Sequence, residues 1–200
     1  MSSPLTVYAD ASDGYISSYG STYADARAGG GSFAANTDEV FLVQGQDKVG
    51  YDHYYYYLSY IQFDTSGVED DVSVAELTLY EYYTYKTQAF TAWVAQYDWG
   101  ASLTTGDFVA GDDLSDLTKV ASIASADIAE DAYNTFGSES AFLAAINVSG
   151  YTRLILFTNR MESGDAPAGI TERAEWCSAD TAGTDKDPKL YIEYDVAQQA

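Results

Sequence analysis

The chain has 200 residues, 46% of them apolar, and 31 acidic against 9 basic side chains give it a formal charge of −22. That length and apolar content suit one domain with a full core. The charge argues against nucleic acid and anionic membrane surfaces as partners, and 19 Tyr, 8 Phe and 3 Trp argue against the disorder that acidity alone would suggest.

Alternation of apolar and polar residues, punctuated by Gly, Asp, Ser and Asn, predicts strands at 5–9, 14–18, 24–28, 39–44, 54–63, 73–83, 88–96, 119–124, 151–158, 172–178 and 189–195. The Gly-rich segment 27–38 reads as one loop, and a turn around Gly67 and Asp70 joins two strands into a hairpin. One segment has helical spacing instead. Ser138 as a cap, then Phe142, Leu143, Ala145 and Ile146, then Gly150 as a stop, predict a short helix over 138–147. The expectation is an all-β domain over 1–196, an antiparallel β-sandwich of jelly-roll type with one short helix, followed by a frayed tail at 197–200.

The segment YDHYYYYLSY at 51–60 places six tyrosines in ten positions. With Ile61 and Phe63 facing the core, parity puts Tyr55, Tyr57 and Ser59 on the core side and Tyr54, Tyr56, Leu58, Tyr60 and Gln62 outside. Tyr80 and Tyr82 have outward parity on the next strand, and Trp93 lies opposite Phe90 in parity. Tyr54, Tyr56, Tyr60, Tyr80, Tyr82 and Trp93 therefore form the candidate platform. Such rings serve as anchors of a subunit interface, as a surface for stacking sugars, or as ordinary cross-strand residues of a half-exposed sheet. Trp99 and Trp176 read as core.

Catalytic and metal constellations are thin. The lone His53 and the lone Cys177 sit in strand contexts, and no nucleophile elbow, phosphate loop or zinc-protease motif occurs. A single cysteine also precludes an intrachain disulfide. The aspartate clusters at Asp112, Asp113 and Asp116, at Glu69, Asp70 and Asp71, and at Asp180, Asp185 and Asp187 lack the EF-hand spacing and read as solvated turns. Catalytic residues and metal ligands are assigned to none of these. The sequon Asn147–Val148–Ser149 reads as a helix exit. MSSPLTVYAD lacks the basic and apolar regions of a signal peptide, and no run of 18 apolar residues occurs. An excess of 21 Asp over 10 Glu, with five Lys, fits a protein of concentrated salt, and equally an acidic extracellular or marine viral protein.

Six segments carry a family resemblance: DGYISSYGSTYADARAG (13–29), SYIQFDTSGV (59–68), SVAELTLYEY (73–82), WGASLTTGDF (99–108), SGYTRLILFTNR (149–160) and DPKLYIEYD (187–195). In order and spacing they resemble the jelly-roll, carbohydrate-binding-module-like domains of DNRLRE type, found in secreted polysaccharide-binding proteins and in virion proteins of tailed viruses. The stretch from Phe136 to Arg160, with ERAEWCSAD after it, is more similar to the viral branch. The resemblance implies a fold and a range of functions; its viral flavour makes the expectation a non-enzymatic virion structural protein, a capsid decoration, turret, fibre or tail-associated subunit at the virion surface, contacting other virion proteins. It also implies a role in host attachment, with a host-surface glycan as partner. A sticky tyrosine face predicts a homo-oligomer, trimer or pentamer. The alternative is an extracellular carbohydrate-binding module of a polysaccharide-acting system. No cofactor is expected beyond the structural Ca²⁺ that related modules hold in loops.

Overall fold

The computed structural model describes residues 2–69, 71–167, 169 and 171–195. The first half contains β1 (Ser2–Tyr8), β2 (Gly14–Gly20), α1 (Tyr23–Ala28), β3 (Ser32–Asn36), β4 (Phe41–Val49), β5 (His53–Asp64), β6 (Val72–Lys86) and β7 (Thr91–Gln96). The second contains β8 (Lys119–Ala124), β9 (Tyr133–Thr135), β10 (Gly137–Ser138), α2 (Phe142–Ala145), β11 (Tyr151–Thr158), α3 (Asn159–Ser163), β12 (Thr171–Cys177) and β13 (Lys189–Asp195). Every strand pair among them is antiparallel. The all-β class expected from the sequence is the class observed.

The strands form one hydrogen-bonded path, β1-β13-β6-β12-β4-β5-β11-β7-β8-β10, with β2, β3 and β9 attached beside it. Two strands turn this path into a curl. The first half of β6 pairs with β13, and its second half pairs with β12. One edge of β5 pairs with β4 over Tyr57 to His53 and then with β11 over Ser59 to Asp64, so the sheet forks at Leu58. Gln44 sits buried at that fork. Its Nε2 donates to the carbonyls of Trp93 and Phe157, and its Oε1 accepts from Trp176 Nε1. Each polar atom of the amide thereby has a partner, as burial requires.

The two limbs enclose the main core. Leu77, Leu79, Leu190, Ile192, Leu42 and Trp176 come from one limb, and Ile61, Phe63, Leu154, Leu156, Val94 and Val120 come from the other. Each such side chain contributes about 1.5–3 kcal/mol relative to leaving it in water. A second core lies on the opposite face of β5 and β11. There Tyr56, Leu58, Tyr60, Ile155 and Phe157 pack beneath Ala26, Trp99, Leu103, Val109, Leu114 and Met161.

Several local expectations are corrected. The predicted strand at 24–28 is α1, because the Thr22 side chain accepts from the Asp25 amide and Gly29 closes the helix at φ 71°. The predicted loop at 27–38 contains β3, which borrows its ladder from β2. The predicted helix over 138–147 is only α2, since Gly137 and Ser138 pair with β8 as β10. A third helix, α3, follows β11, with Thr158 accepting from the Met161 amide and Gly164 at φ 76°. The turn at Asp70 and the tail at 197–200 lie outside the described residues.

Candidate functional site

Alternation along β5 holds: Ile61 and Phe63 are sealed in the main core. The inference that the other side of the strand is open is wrong. Tyr56 and Tyr60 are 0% exposed, because the 97–118 loop, α1 and α3 cover that face. Their hydroxyls donate to the carbonyls of Met161 (3.3 Å) and Asp107 (2.8 Å), so both rings are spoken for as core. Tyr54 is half-buried against Tyr23, with Lys48 Nζ 5.4 Å from its ring. Trp93 is half-buried beside the second core under Lys119. Tyr80 stands elsewhere, edge-on to Tyr133 and bonded to Asp131. The six predicted platform residues are therefore dispersed, and Tyr82 alone of them lies on the aromatic face that the structure forms.

That face continues the Ile61–Phe63 side of β5 into the stretch where pairing passes from β11 to β4. Tyr55 and Tyr57, expected inward, stand there half-buried with Tyr15 and Tyr19 of β2 beside them. The rings connect without a break. Tyr82 meets Phe41 at 5.3 Å, Phe41 meets Tyr15 at 6.2 Å, and Tyr15 meets Tyr57 at 6.1 Å. Tyr57 is parallel to Tyr55 at 6.0 Å and 7°, Tyr55 meets Tyr19 at 5.2 Å, and the Tyr19 hydroxyl contacts His53 Nδ1 at 2.6 Å. On the far side Tyr83 and Tyr85 lie 4.5 Å apart.

A bulge supplies the outermost pair. Register runs Glu175 to Tyr83 and Trp176 to Glu81, leaving Tyr82 as the extra residue of β6. Tyr82 and Tyr83 are consequently 51% and 54% exposed.

Arg173 joins the two groups of rings. Its guanidinium carbon lies 5.4 Å from the Tyr57 ring and 5.0 Å from the Tyr85 ring. It also bonds Asp47 and, at 2.7 Å, Glu175. Tyr57, Gly45 and Arg173 are successive register partners on β5, β4 and β12. Gly45 has φ 145°, and a Cβ there would come 2.4 Å from both Arg173 Cβ and the Glu172 carbonyl. The missing side chain is what lets the guanidinium reach across an intervening strand.

Burial pushes the Asp47 carboxyl up, and Arg173 works against that shift. Burial also disfavours the Arg173 charge, but Asp47 and Glu175 outweigh it and hold the group above its ordinary value. Burial raises the Tyr57 and Tyr15 hydroxyls, so both stay protonated and can donate. The face thus offers half-buried stacked rings and phenols, while Asp47 and Glu175, 2% and 7% exposed, lie buried around the Arg173 cation. His53 and Cys177 pair with Val49 and Phe41 at opposite ends of β4, about 26 Å apart at 3.3 Å per residue, and do not meet.

The sequence signals for this face are Gly45 just past the expected strand at 39–44, Tyr15 and Tyr19 four apart in β2, and Tyr83 and Tyr85 two apart in β6. No protein-family model matches the chain, and no curated protein matches it.

Proposed function

We propose that the chain is a non-enzymatic virion-surface protein that docks, through its aromatic face, onto a saccharide-bearing host surface. The single observation that carries the docking role is the unbroken row of rings from Tyr82 to Tyr19, with Arg173, Asp47 and Glu175 set into it. Pyranose rings have apolar faces that stack on aromatic planes and hydroxyls that bond phenols. A neutral saccharide escapes the repulsion that a charge of −22 imposes on polyanions. The virion setting is supported by the resemblance of residues 136–195 to the viral branch of DNRLRE-type domains.

A second reading makes the same face a subunit interface of a homo-oligomer. The adjacent exposed rings of Tyr82 and Tyr83 favour it, since a symmetric partner would cover them. Polysaccharide retention and sedimentation, run on wild type and Tyr57→Ala, separate the two. Docking to saccharide predicts a monomer retained on at least one neutral polysaccharide, with retention lost in the variant. An oligomer that Tyr57→Ala dissociates, with no retention on any polysaccharide, would replace this reading by the interface.

A further inference from the structure

A cavity of about 250 Å³ adjoins one end of the aromatic face. It lies between the bulged stretch of β6 and the loop before β9, and Glu81, Tyr82, Tyr83, Thr84, Glu130 and Asp131 line it. Tyr82 belongs both to this wall and to the row of rings, where it stacks on Phe41. The loop that forms the other wall is held in place by Asn134, whose side chain accepts from the Ala129 amide and donates to the Ala129 and Ala132 carbonyls. The Ala132 carbonyl also accepts from the Glu81 amide, so loop and strand are joined.

Glu81 is 4% exposed, yet no cation faces it. Its Oε2 accepts from the Asp131 amide at 2.9 Å, its Oε1 has no hydrogen-bond partner, and neither oxygen forms an ion pair among the described residues. Thr84 Oγ1 in the same wall is buried and also lacks a partner. Asp131 is shared with Lys186 at 3.5 Å and with the Tyr80 hydroxyl, whereas exposed Glu130 has no ion pair among the described residues. A carboxylate held out of water without a counter-charge is costly, and the field of a chain charged −22 deepens that cost. A compact cation with N–H donors would relieve it. No group of three acidic, histidine or cysteine side chains among the described residues stands at metal-ligand spacing, and the two exposed tyrosine rings suit an organic cation.

We infer that this cavity binds the ammonium group of an amino sugar, so that the saccharide docked on the rings carries a free amine where the row ends at Tyr82. The inference rests on the docking reading and adds a substrate class to it. An ammonium has three N–H donors, and Glu81 Oε1, Thr84 Oγ1 and the Glu130 carboxylate are the acceptors that await them. Tyr82 and Tyr83 supply the aromatic part of the site. The N-acetylated form of the same sugar keeps the apolar face that the row stacks on but has lost the charge and two of the three donors. The preference between the two forms therefore reports on the cavity, and binding common to both reports on the row.

The test is calorimetric titration with a β-1,4-linked glucosamine oligosaccharide and with its fully N-acetylated counterpart. It is run at about pH 6, where such an amine is protonated, in about 0.15 M NaCl, where the screening length is about 8 Å. The amine form is expected to bind at least about tenfold more tightly. Glu81→Gln, which keeps an acceptor for the Asp131 amide, should cut that ratio to below about threefold, while Asp113→Asn on an exposed turn beside Leu114 of the second core should retain it. Should Glu81→Gln fail to fold, Glu130→Gln at an exposed position takes its place with the same expected direction. Equal affinity for the two forms overturns the ammonium site, as does a ratio that falls as far in Asp113→Asn as in Glu81→Gln, since diffuse attraction of a polycation would then explain it. Equal binding of both forms that Tyr57→Ala weakens leaves docking on the rings intact while removing the ammonium site. An amine preference that Glu81→Gln abolishes but Tyr57→Ala leaves at full affinity keeps the site and removes docking along the row. Binding of neither form overturns the site, and retention on other polysaccharides then decides the docking reading by itself.

Discussion

Gly45 and Arg173 are register partners, and Arg173 occupies the space that any side chain at position 45 would need. Gly45→Ala places a methyl 2.4 Å from the Glu172 carbonyl at a φ of 145°. Both the contact and the backbone oppose it, with a combined loss of about 2–4 kcal/mol. Chemical denaturation reads the loss as a lower midpoint with unchanged slope.

Tyr56 and Tyr57 are neighbours in sequence with opposite fates, so they form a paired test. Tyr56→Ala opens the second core and is expected to destabilise by about 3–5 kcal/mol. Tyr57→Ala removes a half-buried ring in the middle of the aromatic row, with a loss of about 1–2 kcal/mol and at least tenfold weaker retention on polysaccharide. Equal losses of stability in the two variants would show that the face is not open.

Removing Arg173 leaves Asp47 buried beside Glu175 without its cation. Arg173→Met is expected to destabilise by about 3–5 kcal/mol, and Asp47→Asn added to it to restore part of the loss. A double-mutant cycle in denaturant measures the coupling, and strict additivity would mean that the pair is not an energetic unit.

The Asp13 carboxyl is pushed up to about 8, by burial first, with the Ala179 amide opposing and Asp180, Asp10 and Asp187 adding to the shift. The folded state therefore binds this proton more tightly than the unfolded chain, whose carboxyl titrates near 3.9. Asp13's contribution is full below about pH 4 and is lost as pH rises through about 8. Wild type should lose stability across that window. Asp13→Asn should remove this part of the slope, and an identical slope in the variant would count against the assignment.

Salt should act on the whole surface. With 31 acidic side chains and 9 basic ones, melting temperature is expected to climb from about 0.1 M to about 1 M NaCl as the screening length falls from about 10 to 3 Å. A flat profile would remove the halophilic reading while leaving the fold untouched.

Much of the scaffold was legible. β13 spans the predicted 189–195, and Ile61 and Phe63 lie where alternation put them. Alternation states which residues share a side, however, and not which side is covered. The cover over Tyr56 and Tyr60 comes from Trp99, Val109, Leu114 and Met161, far along the chain, so no local pattern could report it. Likewise the bulge at Tyr82 shifts the register of β6 against β12 and brings Tyr83 onto Arg173's side, which an uninterrupted period-two reading cannot foresee. The strand expectation at 24–28 followed the alternation of Ala24, Ala26 and Ala28 with Asp25 and Arg27, whereas the caps at Thr22 and Gly29 fold the segment as α1.

The fifteen residues of β6 run the length of one limb, bonded to β13 at one end and to β12 at the other. No hinge interrupts that limb along the strand, so a tug on the ring-bearing end is resisted by rows of hydrogen bonds loaded together in shear. A tether built this way would hold its grip under flow, yielding only when whole ladders part at once.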